Sequence, residues 1–573
     1  MASPEMGVAT ELVDLLVVFM IAGGVGVFVA KVGRFPYTVA LLLAGIGVSI
    51  THTVFGIPIF GIALSHDLIL LVLLPPLLFE GAATTDLESF RENLPPILML
   101  SVPGLILSII VLGVIGRVAF GFPILIALLF AAIILPTDPV SVLALFDELG
   151  APERLSTLVE GESLLNDGTG VVVFSALFEI VLSVGPNTDL SGLLTVERLV
   201  ETAFDIAFAS VGGVVVGLLT GYVVYRVMIN LDEHMTEVVL TLILAYGSFL
   251  LAEHYLGVSG VIATVVAGLF IGNRGAEYAM SPQTKLSVFN TLETAAFIVN
   301  TFIFVAIGAS TPVHQFATYA GPIAIAIVLT LFARVVAVYP LTALVNYFSD
   351  PKVPLDYQHI MVWGGLHASI PIALVLGLPA DFPYSNQLRA MVFGVAAFSL
   401  IVGGLSMPDV LDRLGIVTRS ADQQLYELLS GRAQAADAAL ESAERLRRRG
   451  DIPGDVYEDF TTEYEHEQED LRHAISQLME KNPELRREEM LIGERQLLQR
   501  EKSAINDAMR NGVIGDDVGD RLIEEVNLKI DRVNDGQSTV TESEDEEAYE
   551  EFWRTQANEF GLDTEPQREG ADD

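Results

Sequence analysis

The sequence predicts an all-α polytopic membrane protein with an acidic, helical cytoplasmic tail, and three observations lead to this prediction. Of the 573 residues, 51% are hydrophobic, and long apolar runs recur along residues 1–415. Runs of ~18 residues or more are long enough to cross the hydrocarbon layer as helices. The charges are segregated, since residues 1–420 hold only 14 of the 32 Lys and Arg residues.

Thirteen apolar segments are predicted to span the membrane. They lie near residues 11–30, 36–53, 66–84, 94–118, 121–146, 157–184, 203–228, 235–254, 258–272, 286–309, 316–347, 359–379 and 387–412. The first has acidic residues before it and no basic leader, so we interpret it as a retained span and not a signal peptide. One set of loops holds ten Lys or Arg residues and the other holds three. This bias places the N-terminus outside and the tail in the cytoplasm, in a multi-pass protein of the cell membrane.

The overall charge is strongly negative. The net charge is -40, and even residues 1–420 contain 31 acids against 14 bases. Such a surface suits a medium rich in salt, where counterions screen the repulsion between carboxylates. We therefore expect a halophilic, haloarchaeal source, in preference to an ordinary host whose protein has one acidic tail. The absence of cysteine excludes disulfides, thiolate metal sites and cysteine nucleophiles.

Three regions follow from these patterns. Residues 1–415 form the transmembrane domain, residues 416–535 a helical cytoplasmic regulatory domain, and residues 536–573 an acidic, disordered tail. The second region is rich in Ala, Glu, Arg, Leu and Gln, and it spaces its leucines as an amphipathic helix does. We find no glycine-rich nucleotide fingerprint and no calcium loop in it, and we expect no nucleic acid partner.

The fifth segment contains the first acid at membrane depth. An ionised carboxylate there costs ~2.5–3.5 kcal/mol, so it needs a partner, a proton, an ion or water. Pro136 and Pro139 flank Thr137 and Asp138, and because proline lacks a donor the helix is predicted to break at this point. A broken helix presents free carbonyls to an ion, and with the hydroxyl and carboxylate it forms an oxygen cage for a hard cation. The alternative is a kink at the wet end of the segment.

The sixth segment places several polar groups on one side of a helix. Ser163 and Asp167 are four residues apart, as are Glu162 and Asn166. Asp167 follows Glu160 by seven residues, which is roughly 11 Å along a helix and places it well inside the bilayer. The alternative is that this stretch is the wet end of the span.

Three other ionisable residues lie in apolar segments. Arg334 has no local anion, and we predict a long-range ion pair with Glu162 that fixes two spans in register, the alternative being that Arg334 snorkels to the membrane surface. Glu80 is interpreted either as a gate in the ion passage or as a marker of the membrane surface. His367 follows two glycines and precedes a proline in a second predicted helix break, where it is either a pH sensor or a neutral hydrogen-bonding residue.

Together these motifs resemble those of a known family. The Leu-Pro-Thr-Asp-Pro run at residues 135–139, the Gly-Glu-Ser-Leu-Leu-Asn-Asp-Gly run at 161–168, Arg334 in Ala-Arg-Val and the Gly-Gly-Leu run at 364–366 occur in this order. The chain is similar to NhaP-type sodium/proton antiporters of the monovalent cation:proton antiporter family over nearly all of residues 1–415. One departure is visible, since His367 stands where the family often has Arg.

The resemblance implies thirteen helices in inverted repeats, a homodimer, and a mobile core in which the broken fifth and twelfth helices cross. It implies sodium ligands at Thr137, Asp138, Ser163 and Asp167, with Asn166 supporting the site, and a structural Glu162–Arg334 pair. Relatives with an Asn-Asp pair are electroneutral, which implies one cation for one proton. No cofactor beyond the transported sodium ion and proton is expected, and the chain is not expected to be an enzyme.

The predicted function is therefore secondary antiport that serves pH homeostasis. Sodium, or lithium, competes with a proton for Asp167, and only occupied forms of the site move between the two faces. A potassium/proton antiporter on the same scaffold is the main alternative, because the ligand types do not set the cavity size. A cation channel and a membrane sensor with a signalling tail are the others, and the partner of the tail stays open.

Overall fold

A computed structural model of the chain divides it into two units, Met1–Thr418 and Arg419–Asp573. The structure describes residues 4–32, 36–55, 66–185, 196–231, 233–349, 351–367, 369–379, 381–416, 421–510, 513–534, 536 and 538. Within these ranges every regular element is a helix.

The first unit contains the apolar helices. They are α1 (Pro4–Val32), α2 (Tyr37–Phe55), α3 (Leu68–Thr84), α4 (Leu87–Glu92), α5 (Leu94–Phe120), α6 (Ile124–Ile134), α7 (Val140–Leu149), α8 (Glu153–Val184), α9 (Val196–Met228), α10 (His234–Leu256), α11 (Gly260–Phe270), α12 (Pro282–Ser310), α13 (Ala320–Phe348), α14 (Leu355–Trp363), α15 (Ser369–Leu376) and α16 (Ser385–Arg413). Among the described residues, eight helices are long and apolar enough to cross a membrane, and three shorter apolar helices accompany them. The prediction of an all-α polytopic membrane protein is confirmed.

Each predicted segment coincides with one or two of these helices. Eleven of them overlap a single helix, whereas the fifth falls on α6 and α7 and the twelfth on α14 and α15. These two are the segments in which prolines and glycines predict a break. The number of membrane crossings and their orientation stay predictions.

The helix α8 begins earlier than its apolar pattern indicates. It starts at Glu153, whereas the predicted segment starts at residue 157, and Pro152 is the residue that precedes it. Proline stops a helix from extending further toward the N-terminus, and an acid in the first turn interacts favourably with the helix dipole. The polar first turn is therefore part of the same helix that carries Asp167 farther along.

Glycines let α3 approach α11 at backbone distance. A Cβ atom added to Gly268 of α11 would lie 2.8 Å from the carbonyl oxygen of Phe79, and one added to Gly272, two residues after the end of α11, would overlap the backbone of Ala83. Only glycine permits such an approach, as in the small-residue interfaces of other membrane helices. This contact fixes the position of α3 and of Glu80 upon it.

The second unit consists of α17 (Ala421–Arg449), α18 (Gly454–Lys481), α19 (Pro483–Arg510) and α20 (Asp516–Asn534). In the hairpin α17–α18 Arg432 binds both carboxylate oxygens of Glu467, at 2.6 and 2.9 Å. In the hairpin α19–α20 the side chains of Leu498, Val526 and Val533 form a small core. The predicted disordered tail lies, but for residues 536 and 538, outside the described residues.

Candidate functional site

The first helix break separates α6 from α7. The N–H of Leu135, the residue after α6, still donates to the carbonyl of Ala131, and residues 135–139 are not helical. Helix α7 then starts at Val140, whose N–H donates to the Asp138 carboxylate at 3.1 Å. An aspartate just before a helix commonly satisfies such a free N–H group. The break therefore orients the carboxylate of Asp138 through the start of the next helix.

The second break, between α14 and α15, crosses the first. The backbone N–H of Asp138 donates to the carbonyl of Leu366 at 2.8 Å. The ring Nδ1 of His367 lies 3.0 Å from the carbonyl oxygen of Pro136, so Nδ1 carries the proton and donates it. The crossing is thus held by one backbone hydrogen bond and one from an imidazole.

Helix α8 meets the crossing with its polar side. The hydroxyl of Ser163 donates to the backbone carbonyl of Thr137, and the amide of Asn166 donates to the Thr137 hydroxyl at 3.0 Å. A Cβ atom added to Gly170 would overlap the ring of Pro136. The absence of a side chain at that glycine therefore lets α8 reach the broken backbone.

The two aspartates have different surroundings. Asp138 accepts from Val140 and also from the hydroxyl of Ser369, at 3.1 Å. Asp167 is buried, at 8% exposure, and Asp138 acts on it electrostatically. Within the part of the chain that the structure describes, no group donates a hydrogen bond to the Asp167 carboxylate. One carboxylate is held in place, and the other still needs a proton or a cation.

A buried ion pair lies beside these groups. The guanidinium of Arg334 contacts both carboxylate oxygens of Glu162, the longer distance being 3.4 Å. Its Nη2 also donates to the carbonyl of Met361 in α14, at 2.6 Å. Both side chains are buried, with 9% and 4% exposure. The pair ties α13 to α8 and α14.

The other two candidates are placed differently. His367 is buried at the crossing, and its backbone N–H donates to Ser399 on α16 at 3.1 Å. Glu80 lies on α3 and is partly buried, and Glu293 acts on it electrostatically. Within the described ranges no hydrogen bond joins Glu80 to Asp138 or Asp167. His367 is therefore part of the hydrogen-bonded network at the crossing, and Glu80 does not join that network through the described residues.

Sequence reasoning missed two contributors to the site. Ser369, in the first turn of α15, donates to the Asp138 carboxylate, and the carbonyl of Leu366 accepts from the backbone N–H of Asp138. A hydroxyl two residues after His367 was a signal for the first. The second had no side-chain signal, because a backbone carbonyl is the same in every sequence.

The oxygens gathered here suit a small hard cation. They are two carboxylates, the hydroxyls of Thr137, Ser163 and Ser369, and the carbonyls that the breaks leave outside helices. In the described residues no group of three or more His, Asp or Glu side chains is arranged to hold a metal ion. Two carboxylates with neutral oxygens can hold a cation of low charge that binds and leaves.

Comparison with known proteins settles the family. The family model described as "Sodium/hydrogen exchanger, transmembrane" matches residues 15–413. The chain belongs to the sodium/hydrogen exchanger family. The resemblance predicted from the motifs is thereby confirmed, and membership in a family of transporters agrees with the prediction that the chain is not an enzyme. The haloarchaeal source stays a prediction.

Several relatives cover most of the chain. The Na(+)/H(+) antiporter NhaG of Bacillus atrophaeus is 34% identical over 89% of this chain and 96% of its own length. The Na(+)/H(+) antiporter ApNhaP of Aphanothece halophytica is also 34% identical, over 77% of this chain and 82% of its own. The solved structure of the sodium proton antiporter MjNhaP1 from Methanocaldococcus jannaschii has a TM-score of 0.54 at 19% identity and covers 70% of this chain and 97% of that one. This chain therefore has the same fold as that antiporter.

Proposed function

We propose that this exchanger family member moves sodium ions across the cell membrane in exchange for protons, with both ions competing for Asp167. The observation that carries the proposal is the unequal pair of aspartates. Asp138 is held by Val140 and Ser369, whereas Asp167 is buried beside it with no hydrogen bond from a described residue. A carboxylate in that position is stabilised by a proton or by a cation, and each excludes the other.

The site's charge explains why transport is coupled. An empty site with both carboxylates ionised carries two negative charges at membrane depth, and each costs ~2.5–3.5 kcal/mol on the gentlest scale. Binding sodium or a proton at Asp167 removes one of them. The occupied forms therefore move between the two faces more readily than the empty form, and this difference makes the protein an exchanger and not a leak.

The finer features are part of the same proposal. Thr137, Ser163 and Asp138 supply oxygens to the cation, Asn166 holds Thr137 in place, and the exchange is one cation for one proton. The N-terminus lies outside and the tail in the cytoplasm. The protein is a homodimer, and Glu162 and Arg334 form a structural pair outside the transport cycle.

The proposal is tested by exchange in vesicles. The purified protein is reconstituted with a pH dye inside, and a sodium gradient drives proton movement. Asp167→Ala is expected to abolish the signal while the protein still elutes as a folded species. Glu179, an exposed acid on the same helix, provides the matched control, since Glu179→Ala removes one carboxylate outside the site. Undiminished exchange in Asp167→Ala would contradict the proposal.

The same vesicles distinguish sodium from other cations. Sodium and lithium are expected to drive proton movement, and potassium much less, in keeping with relatives named Na(+)/H(+) antiporters. Potassium-driven exchange of equal rate would favour the potassium/proton alternative. One-for-one exchange predicts that clamping the membrane potential leaves the rate unchanged.

The second unit is proposed to regulate exchange. Its helices make their own contacts, as in the hairpins α17–α18 and α19–α20, and the chain divides at residues 418 and 419. A chain that ends at Thr418 is expected to exchange ions with a shifted pH of activation. Loss of all exchange in a folded chain of this length would instead make the tail part of the transporter.

A further inference from the structure

The guanidinium of Arg154 joins three separate parts of the first unit. Arg154 lies in the first turn of α8, the helix that carries Asp167. Its Nε donates to the side chain of Asn93 at 2.9 Å, Nη1 to the carbonyl of Lys352 at 3.0 Å, and Nη2 to the carbonyl of Pro351 at 2.7 Å. All three nitrogens of one side chain are therefore paired, two of them with the segment that precedes α14.

That segment is braced on its other side as well. Asn346, near the end of α13, exchanges two hydrogen bonds with the backbone of Val353, at 2.8 and 3.0 Å. Gln358 of α14 donates to the same carbonyl at 3.0 Å, and Pro354 leads directly into the helix. A segment braced in this way transmits its position to α14 and does not absorb a displacement.

Helix α14 leads to the crossing. It ends at Trp363, and the break that follows contributes the carbonyl of Leu366 and the ring of His367. These are the groups that hold the backbone of Asp138 and Pro136. The contacts of Arg154 at the start of α14 are thus connected, through one short helix, to the position of a cation ligand.

A second tie joins the same helices deeper in the bundle. Arg334 binds Glu162 of α8 and the carbonyl of Met361 in α14. Eight residues separate Glu162 from Arg154, or about 12 Å along the helix. Two ties at different depths prevent α14 from tilting against α8, whereas with one tie alone α14 could rotate about that contact. Loss of the outer tie therefore leaves the fold in place but frees the orientation of the crossing.

We propose that Arg154 is a positioning residue for ion exchange, which holds α14 in register with α8 and thereby places the second helix break against Asp138. The inference rests on the proposed exchange function. It gives a specific task to a basic residue that the sequence marks only as a charge between two apolar segments. It also implies that the starts of α8 and α14 stay together throughout the transport cycle.

The kinetic test compares substitutions that remove the geometry with one that removes only charge. Arg154→Ala and Arg154→Lys are expected to raise the apparent KM for sodium about tenfold per folded transporter, because misplacing a ligand by ~1 Å is costly for binding. Lysine keeps the charge, but its donors all lie on one nitrogen and cannot reproduce the planar fork that spans these acceptors. Arg91, an exposed basic residue of α4 whose side chain makes no hydrogen bond in the described part of the chain, is the control, and Arg91→Ala should leave KM unchanged.

Two further measurements separate this inference from the proposed function. Backbone hydrogen exchange over Leu355–Trp363 should become faster in Arg154→Ala than in Arg91→Ala, whether or not sodium is transported. Because the chain has no cysteine, the pair Arg154→Cys with Lys352→Cys can be bridged by a short thiol reagent, and bridging should restore KM without blocking exchange. An unchanged KM with unchanged hydrogen exchange in Arg154→Ala would overturn the inference. So would a bridged pair that no longer transports, since the two segments would then have to separate.

Discussion

Breaking the Glu162–Arg334 pair from one side is expected to destabilise the fold strongly. In Glu162→Gln the Arg334 charge stays buried and loses its counter-charge, and the guanidinium keeps only an amide and the Met361 carbonyl as partners. Removing one member of a buried pair costs about 3–5 kcal/mol. With exposures of 9% and 4%, the pair has little water to replace the lost partner. The folding equilibrium should therefore fall by roughly two to three and a half powers of ten.

The measurement is the unfolding free energy in mixed micelles, from a denaturing-detergent titration. Glu179→Gln, on the exposed side of α8, is the matched control and should change the value by less than about 0.5 kcal/mol. The double variant Glu162→Met with Arg334→Met removes both charges and should recover much of the loss, because apolar replacements of buried pairs are often neutral. The double variant should also still exchange ions. A double variant that folds but does not exchange would refute a purely structural role for the pair.

Two further predictions concern the crossing. Gly170→Ala should reduce exchange by at least tenfold, because a Cβ atom there would overlap the ring of Pro136. The control Gly247→Ala, with open space around the added methyl group, should leave the exchange rate unchanged. Both rates are measured by vesicle flux, and equal rates in the two variants would contradict the close approach of α8. His367→Asn keeps a donor near the position of Nδ1 and should preserve both the rate and its pH dependence if the residue holds the Pro136 carbonyl; a shifted pH profile would favour a pH sensor.

Local chemistry was enough to predict where the two helices break. Pro136 and Pro139 remove donors within four residues, and the glycines before His367 weaken the second helix in the same way. These effects act within the chain's own backbone and need no knowledge of its neighbours. The structure has helix ends at Ile134 and Trp363, each next to the predicted position.

The contacts between the breaks were less accessible to prediction. The sequence indicates that Thr137 and Ser163 belong to one polar site, but not that the serine hydroxyl donates to the threonine carbonyl. That detail depends on how α8 is rotated about its axis relative to the non-helical residues 135–139. The contact of Gly170 with Pro136 sets this rotation. Ser369 was missed for a similar reason, since its role depends on how two distant segments cross.

The inequality of the two aspartates follows from the helices that carry them. In an unbroken helix nearly every N–H group is already paired with a carbonyl four residues back, so none is left for a side chain. Asp167 lies well inside α8, which runs unbroken from Glu153 to Val184, and the backbone therefore has no donor to offer it. Asp138 lies at a break, where the N–H of Val140 is free to bind its carboxylate. The broken helix thus fixes one carboxylate as part of the site's frame, and the intact helix leaves the other to be satisfied by whichever ion arrives, which is the condition that competitive exchange requires.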